Sequence, residues 1–226
     1  MKTYKVHLIR HGLIQGNDDG VYIGHTDTAL SPRGVNDLKD LKKHYVYPEV
    51  PVVFSSPLKR CTETAEILFP DNNPVIINDL IEYNFGSFEG HTAKEMQDND
   101  YFKKWLSGDM DAAPPYGESN KEFGDRVAKA FVQMVDGLIK TGVTEAAVIT
   151  HGGVIMAIMS MFALPEAPMT DWILYNGTGY TLRITPSLWM QTQKCEAIAE
   201  LPAEPEELSN MQDETPMWAD VETTEE

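Results

Sequence analysis

Short apolar, β-branched runs alternate along this chain with longer segments of helical periodicity, and this alternation is the strongest constraint on its fold. The strand-like runs cover Val6 to Ile9, Val52 to Phe54 and Ala146 to Ile149, with weaker ones at residues 75–77 and 179–184. Strands that alternate with helices are typical of parallel sheets covered on both faces. The pattern therefore predicts an α/β fold, a three-layer α/β/α sandwich with a mostly parallel central sheet.

Capping residues mark the starts of two of the predicted helices. Ser31 followed by Pro32 is typical of an N-cap with proline in the first turn. Ser119 and Glu122 have the spacing of a capping box. Toward the end of the chain, residues 179–184 and the residues around Trp189 are predicted to form a closing pair of strands.

The charge distribution divides the chain into a folded part and a tail. The net charge is −17 over 226 residues, and eleven acidic residues with no Lys or Arg follow from Glu196 to the end. We predict one domain over residues 1–200 and an acidic C-terminal tail over residues 201–226. A protein this acidic is not expected to bind nucleic acid, whose phosphates attract basic surfaces.

Other composition features bear on location and on metal sites. No apolar run is long enough to cross a membrane, and the N-terminus leads directly into a strand pattern, so we expect a cytoplasmic protein. Cys61 and Cys195 are too few and too far apart for a disulfide framework or a cysteine metal site. The histidines and carboxylates show no HExxH-like spacing, and no metal is expected.

Groups suited to binding phosphate follow three of the predicted strands. Arg10 and His11 end the first strand, Arg60 begins the helix after the second, and His151 follows the strand at residues 146–149. Ligands bind beyond the carboxyl ends of strands in open α/β sheets, and amide-rich turns such as Gly152-Gly153 bind anions at helix starts. Each residue alone has an ordinary structural explanation, but together they predict a cationic pocket in an acidic protein.

Leu8-Ile9-Arg10-His11-Gly12 resembles the Arg-His-Gly signature of the histidine phosphatase superfamily, which includes the cofactor-dependent phosphoglycerate mutases. Further blocks of the chain match in the expected order: Asn17, Gly24 to Leu30, Ser55 to Arg60, Leu80 to Glu82 with Phe85-Gly86, Gly117 to Ser119 with Arg126, and Thr150 to Gly153, with an echo at Asn176-Gly177-Thr178. The resemblance implies a phosphoglycerate mutase-like catalytic domain that needs no metal or cofactor and hydrolyses phosphate esters of small metabolites.

The resemblance also implies the roles of individual residues. His11 is the expected nucleophile, through a phosphohistidine, and Glu82 is the expected general acid and base, with Glu89 and Glu95 as competitors. Arg10, Arg60, His151 and Asn17 are expected on the phosphoryl oxygens. Further substrate contacts are expected from Ile23, Gly24, Tyr83 and Gly152.

Two other functions remain open from the sequence. A phosphoglycerate mutase needs cations for a second anionic group, yet no arginine occurs between Arg60 and Arg126, which favours a phosphatase resembling the broad-specificity and α-ribazole phosphate phosphatases. An idle member could bind a phosphorylated metabolite or a protein partner, although none of the expected catalytic residues is missing. Leu13 and Ile14 replace the polar residues common after Arg-His-Gly and make the pocket more apolar. A homodimer is possible.

Overall fold

The computed structural model describes residues 2–205, which form a seven-stranded sheet with helices on both faces. The strands are β1 (Tyr4–Arg10), β2 (Val53–Ser55), β3 (Val75–Ile76), β4 (Glu145–Thr150), β5 (Ala163–Leu164), β6 (Gly179–Ile184) and β7 (Cys195–Leu201). The helices are α1 (Pro32–His44), α2 (Lys59–Leu68), α3 (Asp100–Leu106), α4 (Asn120–Thr141), α5 (Gly152–Phe162) and α6 (Pro186–Thr192). Short 3₁₀ turns occur at Asn78–Leu80, Gly86–Phe88 and Met169–Trp172.

The sheet is mostly parallel, as the sequence predicts. Its strand order is β3-β2-β4-β1-β6-β7-β5. The β1–β4, β2–β3, β2–β4 and β5–β7 pairs are parallel, whereas β6 runs antiparallel to both β1 and β7. The carboxyl ends of β1, β2 and β4 therefore meet at the same edge of the sheet.

Two apolar clusters on opposite faces of the sheet make up the three layers. On one face, Val6 and Leu8 belong to the cluster formed with α4 and α5. On the other face, Ile9 packs in a cluster with Leu38 of α1 and Cys61 of α2. Alternate residues of β1 thus face opposite layers, as the two-residue period of a strand requires. The predicted α/β/α sandwich is confirmed.

Both predicted helix caps are present. The Ser31 hydroxyl accepts from the amide of Gly34 at the start of α1. Ser119 and Glu122 form a reciprocal capping box at the start of α4. The prediction at the end of the chain was wrong in one element, because Trp189 lies in α6 and the strand that follows β6 in the chain and pairs with it is β7. The Trp189 ring is buried among aromatic side chains, so it supplied an apolar signal without strand geometry.

The described chain continues past the predicted domain boundary. Leu201 is the last residue of β7, and Ala203 forms a β-bridge with Val46. The rest of the predicted acidic tail, from residue 206 onward, lies outside the described residues. Within residues 2–205, no helix is long and apolar enough to cross a membrane.

Candidate active site

The candidate site lies where β1 and β4 end side by side. The register of the parallel pair sets Arg10 opposite Thr150, so the following residues, His11 and His151, emerge together. Their ring centroids are 5.3 Å apart. Both side chains are buried, with exposed fractions of 4% and 0%. Two histidines 140 positions apart thus meet at one edge of the sheet.

His11 is held in the tautomer that a nucleophile needs. Its Nδ1 atom lies 2.7 Å from the carbonyl oxygen of Gly12. A carbonyl oxygen only accepts hydrogen bonds, so Nδ1 carries the proton and Nε2 keeps its lone pair. Burial, with further contributions from the Arg60 and Arg10 charges, holds the pKa of His11 well below its usual value of 6.5. The ring is therefore neutral at physiological pH.

Arg10 and Arg60 lie beside His11 and keep hydrogen-bond donors in reserve. Arg10 donates from Nη1 to the Leu174 carbonyl at 2.7 Å, while its buried Nε has no partner among the described residues. Arg60 donates to the three acceptors His151 Nδ1, Thr26 O and Gly24 O. A guanidinium has five N–H donors, so both arginines can bind the oxygens of a phosphoryl group.

His151 belongs to a buried polar network. Its Nδ1 accepts from Arg60 Nε at 3.2 Å, and its Nε2 lies 2.7 Å from the hydroxyl oxygen of Ser56. Burial, with the Arg60 and other nearby charges, lowers the pKa of His151 well below 6.5, so the ring is neutral and Nε2 donates to Ser56. The contact between His151 and a phosphoryl oxygen stays a prediction.

The carboxylate of Glu82 lies at the amino terminus of α5. It accepts from the amide of Tyr83 at 2.8 Å and from the amide of Gly153 at 3.1 Å. Burial lowers the pKa of Arg10 and of Arg60, and the nearby charge of Glu82 acts in the opposite direction on both, so Glu82 faces the same cationic pocket. This arrangement brings a carboxylate and a neutral histidine to one pocket, where phosphoryl transfer can use both.

The two competing glutamates have other roles in the structure. Glu89 accepts from the amides of Gly24 and His25 and from the Thr26 hydroxyl, so it orders the segment whose carbonyls bind Arg60. Glu95 is exposed and accepts from the amide and hydroxyl of Thr92, within its own turn. Geometry therefore favours Glu82 over both as the acid in the pocket.

The Tyr83 side chain does not line the pocket, contrary to the expected substrate contact. Its ring is 4% exposed and packs against Phe85 and Phe123, and its hydroxyl donates to the Glu118 carbonyl. The side chain is therefore directed into the core, and Tyr83 contributes to the site through the amide that binds Glu82. The sequence could not distinguish a side-chain contact from an amide contact.

Glycines bring the surrounding backbone close to the site. A Cβ added at Gly24 would lie 1.9 Å from the Tyr83 carbonyl, and one at Gly152 would lie 3.4 Å from Arg10 Nε. The Ile23 side chain is half-buried, with its Cδ1 2.9 Å from a Cβ added at Gly16. Ile23 thus contributes an apolar surface beside the Gly24 segment.

Two positioning residues have no role assigned from the sequence. Asn176 donates to the His11 carbonyl at 3.0 Å, with longer contacts to the Gly12 carbonyl and to Oδ1 of Asn17. Thr64 accepts from the amide of Gly12 at 2.9 Å. Together they fix the backbone on which His11 depends. The Asn176-Gly177-Thr178 echo was the signal for the first of them.

Gly153→Ala is expected to lower kcat/KM for phosphate-ester hydrolysis by about tenfold or more while leaving the fold intact. The added Cβ would lie 2.5 Å from Glu82 Oε1, and the flexible carboxylate moves to relieve the clash. Steady-state kinetics and thermal unfolding of the variant test this. Gly137→Ala in α4 is the matched control, because its Cβ would meet nothing within 4 Å and both readouts should stay close to wild type. Wild-type activity in Gly153→Ala contradicts the expectation.

The free energy of unfolding is expected to fall as the pH drops below about 6.5. Burial lowers the pKa of His7, His11 and His151 in the folded protein, so below this pH the unfolded chain binds protons that the folded protein does not. Each histidine can weaken the folding equilibrium by up to about tenfold per pH unit. Urea unfolding between pH 7 and pH 5 measures the slope, which His7→Gln should reduce. A flat profile contradicts this account.

Three comparisons relate the chain to known proteins. Residues 6–216 match the family model of the histidine phosphatase superfamily (branch 1). The adenosylcobalamin/alpha-ribazole phosphatase of Escherichia coli is 29% identical over 75% of this chain and 85% of its own, and phosphoserine phosphatase 1 of Hydrogenobacter thermophilus is 33% identical over 58% and 64%. The crystal structure of the alpha-ribazole phosphatase from Shigella flexneri shares the fold, with a TM-score of 0.68 at 24% identity over 80% of this chain and 91% of that one.

The sheet topology and these matches define a phosphatase with a phosphoglycerate mutase-like α/β fold. The chain belongs to the histidine phosphatase superfamily, branch 1. Within residues 2–205, no group of three or more His, Cys, Asp or Glu side chains could hold a metal ion.

Proposed function

We propose that this chain hydrolyses phosphate monoesters of small metabolites through a phosphohistidine formed on His11. The observation that carries the proposal is the hydrogen bond from His11 Nδ1 to the Gly12 carbonyl. It leaves the Nε2 lone pair free in a pocket with two arginines that have unused donors. A neutral imidazole with one free nitrogen is the form that attacks phosphorus.

In the first step, His11 Nε2 attacks the phosphorus atom and the bond from phosphorus to the ester oxygen breaks. Protonated Glu82 gives its proton to the leaving oxygen, so an alcohol departs and a carboxylate remains. Arg10 and Arg60 stabilise the negative charge on the phosphoryl oxygens. The Gly12 carbonyl keeps its hydrogen bond and stabilises the positive charge that develops on the ring.

In the second step, the Glu82 carboxylate takes a proton from a water molecule as that water attacks the phosphohistidine. The bond from Nε2 to phosphorus breaks, inorganic phosphate leaves, and His11 returns to its neutral form. Every proton and bond is accounted for by side chains of this chain and by water, so the proposal needs no metal and no cofactor.

The substrate is proposed to carry little negative charge beyond its one phosphate. Arg126 uses its donors within the protein, and Lys103 and Lys104 form exposed ion pairs with Asp100 and Asp109. These cations offer no evident site for a second anionic group, which weighs against a mutase. The relatives named alpha-ribazole phosphatase and phosphoserine phosphatase indicate the range of monoesters to examine.

The first experiment is p-nitrophenyl phosphate turnover in excess EDTA, followed by a panel of metabolite monoesters. Release of phosphate that resists EDTA supports the proposal. Interconversion of phosphoglycerates in the presence of 2,3-bisphosphoglycerate, without net phosphate release, would replace it with a mutase. Binding of phosphate without turnover of any monoester would instead indicate an idle member. Cytoplasmic location, the lack of nucleic-acid and membrane partners, and a homodimer stay predictions.

A further inference from the structure

Arg126 uses all five of its N–H donors within the protein. Arg126 lies in the second turn of α4. Its Nε and Nη2 atoms each donate to one carboxylate oxygen of Glu118, at 2.9 and 2.7 Å. The remaining donors bind the backbone carbonyls of Asp79, Ile81 and Glu82, at 2.7 to 2.8 Å. Since a guanidinium has only five donors, none remains for a substrate anion.

The acceptors of Arg126 belong to the segment that carries the proposed general acid. Two of the three carbonyls precede the Glu82 side chain in the chain, and the third is its own. Glu118 holds the segment from the other side, because its Oε1 also accepts from the amide of Asn84 at 2.7 Å. The ion pair thus contacts the backbone on both sides of Glu82.

We propose that the Arg126–Glu118 ion pair is a positioning device that sets the location of the Glu82 carboxyl group. This proposal rests on the proposed function, since it concerns the acid of that reaction. Neither residue touches the substrate. The pair acts through the backbone of residues 79–84, from which the Glu82 side chain reaches the amide of Gly153.

The ion pair is poorly explained by stability alone. Its side chains are 18% and 13% exposed, and removing two charges from water costs about as much as their attraction returns. A planar guanidinium is required by the geometry, because lysine has three donors and cannot span a carboxylate and three carbonyls. Arg126→Lys therefore keeps the positive charge but loses most of the hydrogen bonds to Glu118 and to the three carbonyls.

The test compares two substrates that differ in their need for a proton. p-Nitrophenyl phosphate has a weakly basic leaving group that departs with little help, whereas phenyl phosphate has a more basic one that depends on the general acid. In Arg126→Lys, we expect kcat/KM to fall about a hundredfold for phenyl phosphate and less than about tenfold for p-nitrophenyl phosphate. Inhibition by inorganic phosphate should stay close to wild type, because Arg10 and Arg60 are untouched.

Two further variants keep the test decisive. Glu118→Gln retains an acceptor for Asn84 while losing the ion pair, and it is measured in the same way if Arg126→Lys does not fold. Arg183→Lys is the matched control, because the Arg183–Glu196 pair is also partly buried but joins β6 to β7 away from Glu82. The control should lose stability without changing the ratio of the two substrates.

An equal fall for both substrates in Arg126→Lys and Glu118→Gln would overturn the proposal and leave a purely structural ion pair. A change in phosphate inhibition of the same size as the loss of kcat/KM would overturn it in favour of substrate binding. Failure of the proposed function is recognised separately, since wild-type protein would then turn over neither aryl phosphate.

Discussion

His11→Ala is expected to lower turnover of p-nitrophenyl phosphate by about 10⁴-fold or more. Among the described residues, His11 is the one group in the pocket that combines a free nitrogen lone pair with a lowered pKa and with adjacent arginines, and the variant loses it. Arg10 and Arg60 remain, so the variant should still bind inorganic phosphate. That retained binding separates loss of the nucleophile from loss of the pocket.

Chemical trapping adds a direct readout of the intermediate. Wild-type enzyme quenched during turnover should carry an acid-labile, base-stable phosphoryl group on the peptide that contains His11. His44→Ala is the matched control, because His44 is exposed at the end of α1 and forms its hydrogen bond to the Asp40 carbonyl. Full activity of His11→Ala, or a phosphoryl group on another residue, would refute the mechanism.

Glu82→Gln is expected to lower kcat/KM by about 10²- to 10⁴-fold for substrates with basic leaving groups. Glutamine preserves the shape but has one acceptor oxygen, so it can replace only one of the two carboxylate oxygens that accept from the amides of Tyr83 and Gly153. It has no proton to give to the leaving oxygen and no basic carboxylate to activate water. The loss should be smaller for p-nitrophenyl phosphate in the first step, because its leaving group departs without protonation.

The matched control for Glu82 is Glu95→Gln, which alters an exposed carboxylate bound only to its own turn. Its kinetics should equal those of the wild type. Comparable activity losses in Glu95→Gln would reassign the acid, and an unaffected Glu82→Gln would remove Glu82 from the reaction. Rapid-quench measurements then show whether phosphorylation or dephosphorylation of His11 is the slower step in each variant.

Local patterns in the sequence predicted most of the fold. The β-branched runs before Arg10 and Thr150 are buried strands, and the Ser119 capping box begins the longest helix. These features depend on neighbouring residues, through side-chain alternation and capping hydrogen bonds. Trp189 was assigned to a strand because a single buried aromatic residue carries no period, and periodicity is what separates a helix from a strand.

The sequence by itself determined the fold class, the family and the set of residues at the sheet edge, because motifs and strand ends are local patterns formed by residues that are neighbours in the chain. Only the tertiary structure decided how those residues act. It identified the Gly12 carbonyl as the hydrogen-bond acceptor of His11 and showed that the Tyr83 side chain is directed into the core. It also showed that Glu89 binds the amide of Gly24, which leaves Glu82 as the favoured acid. It also showed that all five N–H donors of Arg126 bind Glu118 and the backbone carbonyls of residues 79–82. Hydrogen bonds between residues far apart in the chain depend on distance and direction in space, which no local pattern specifies.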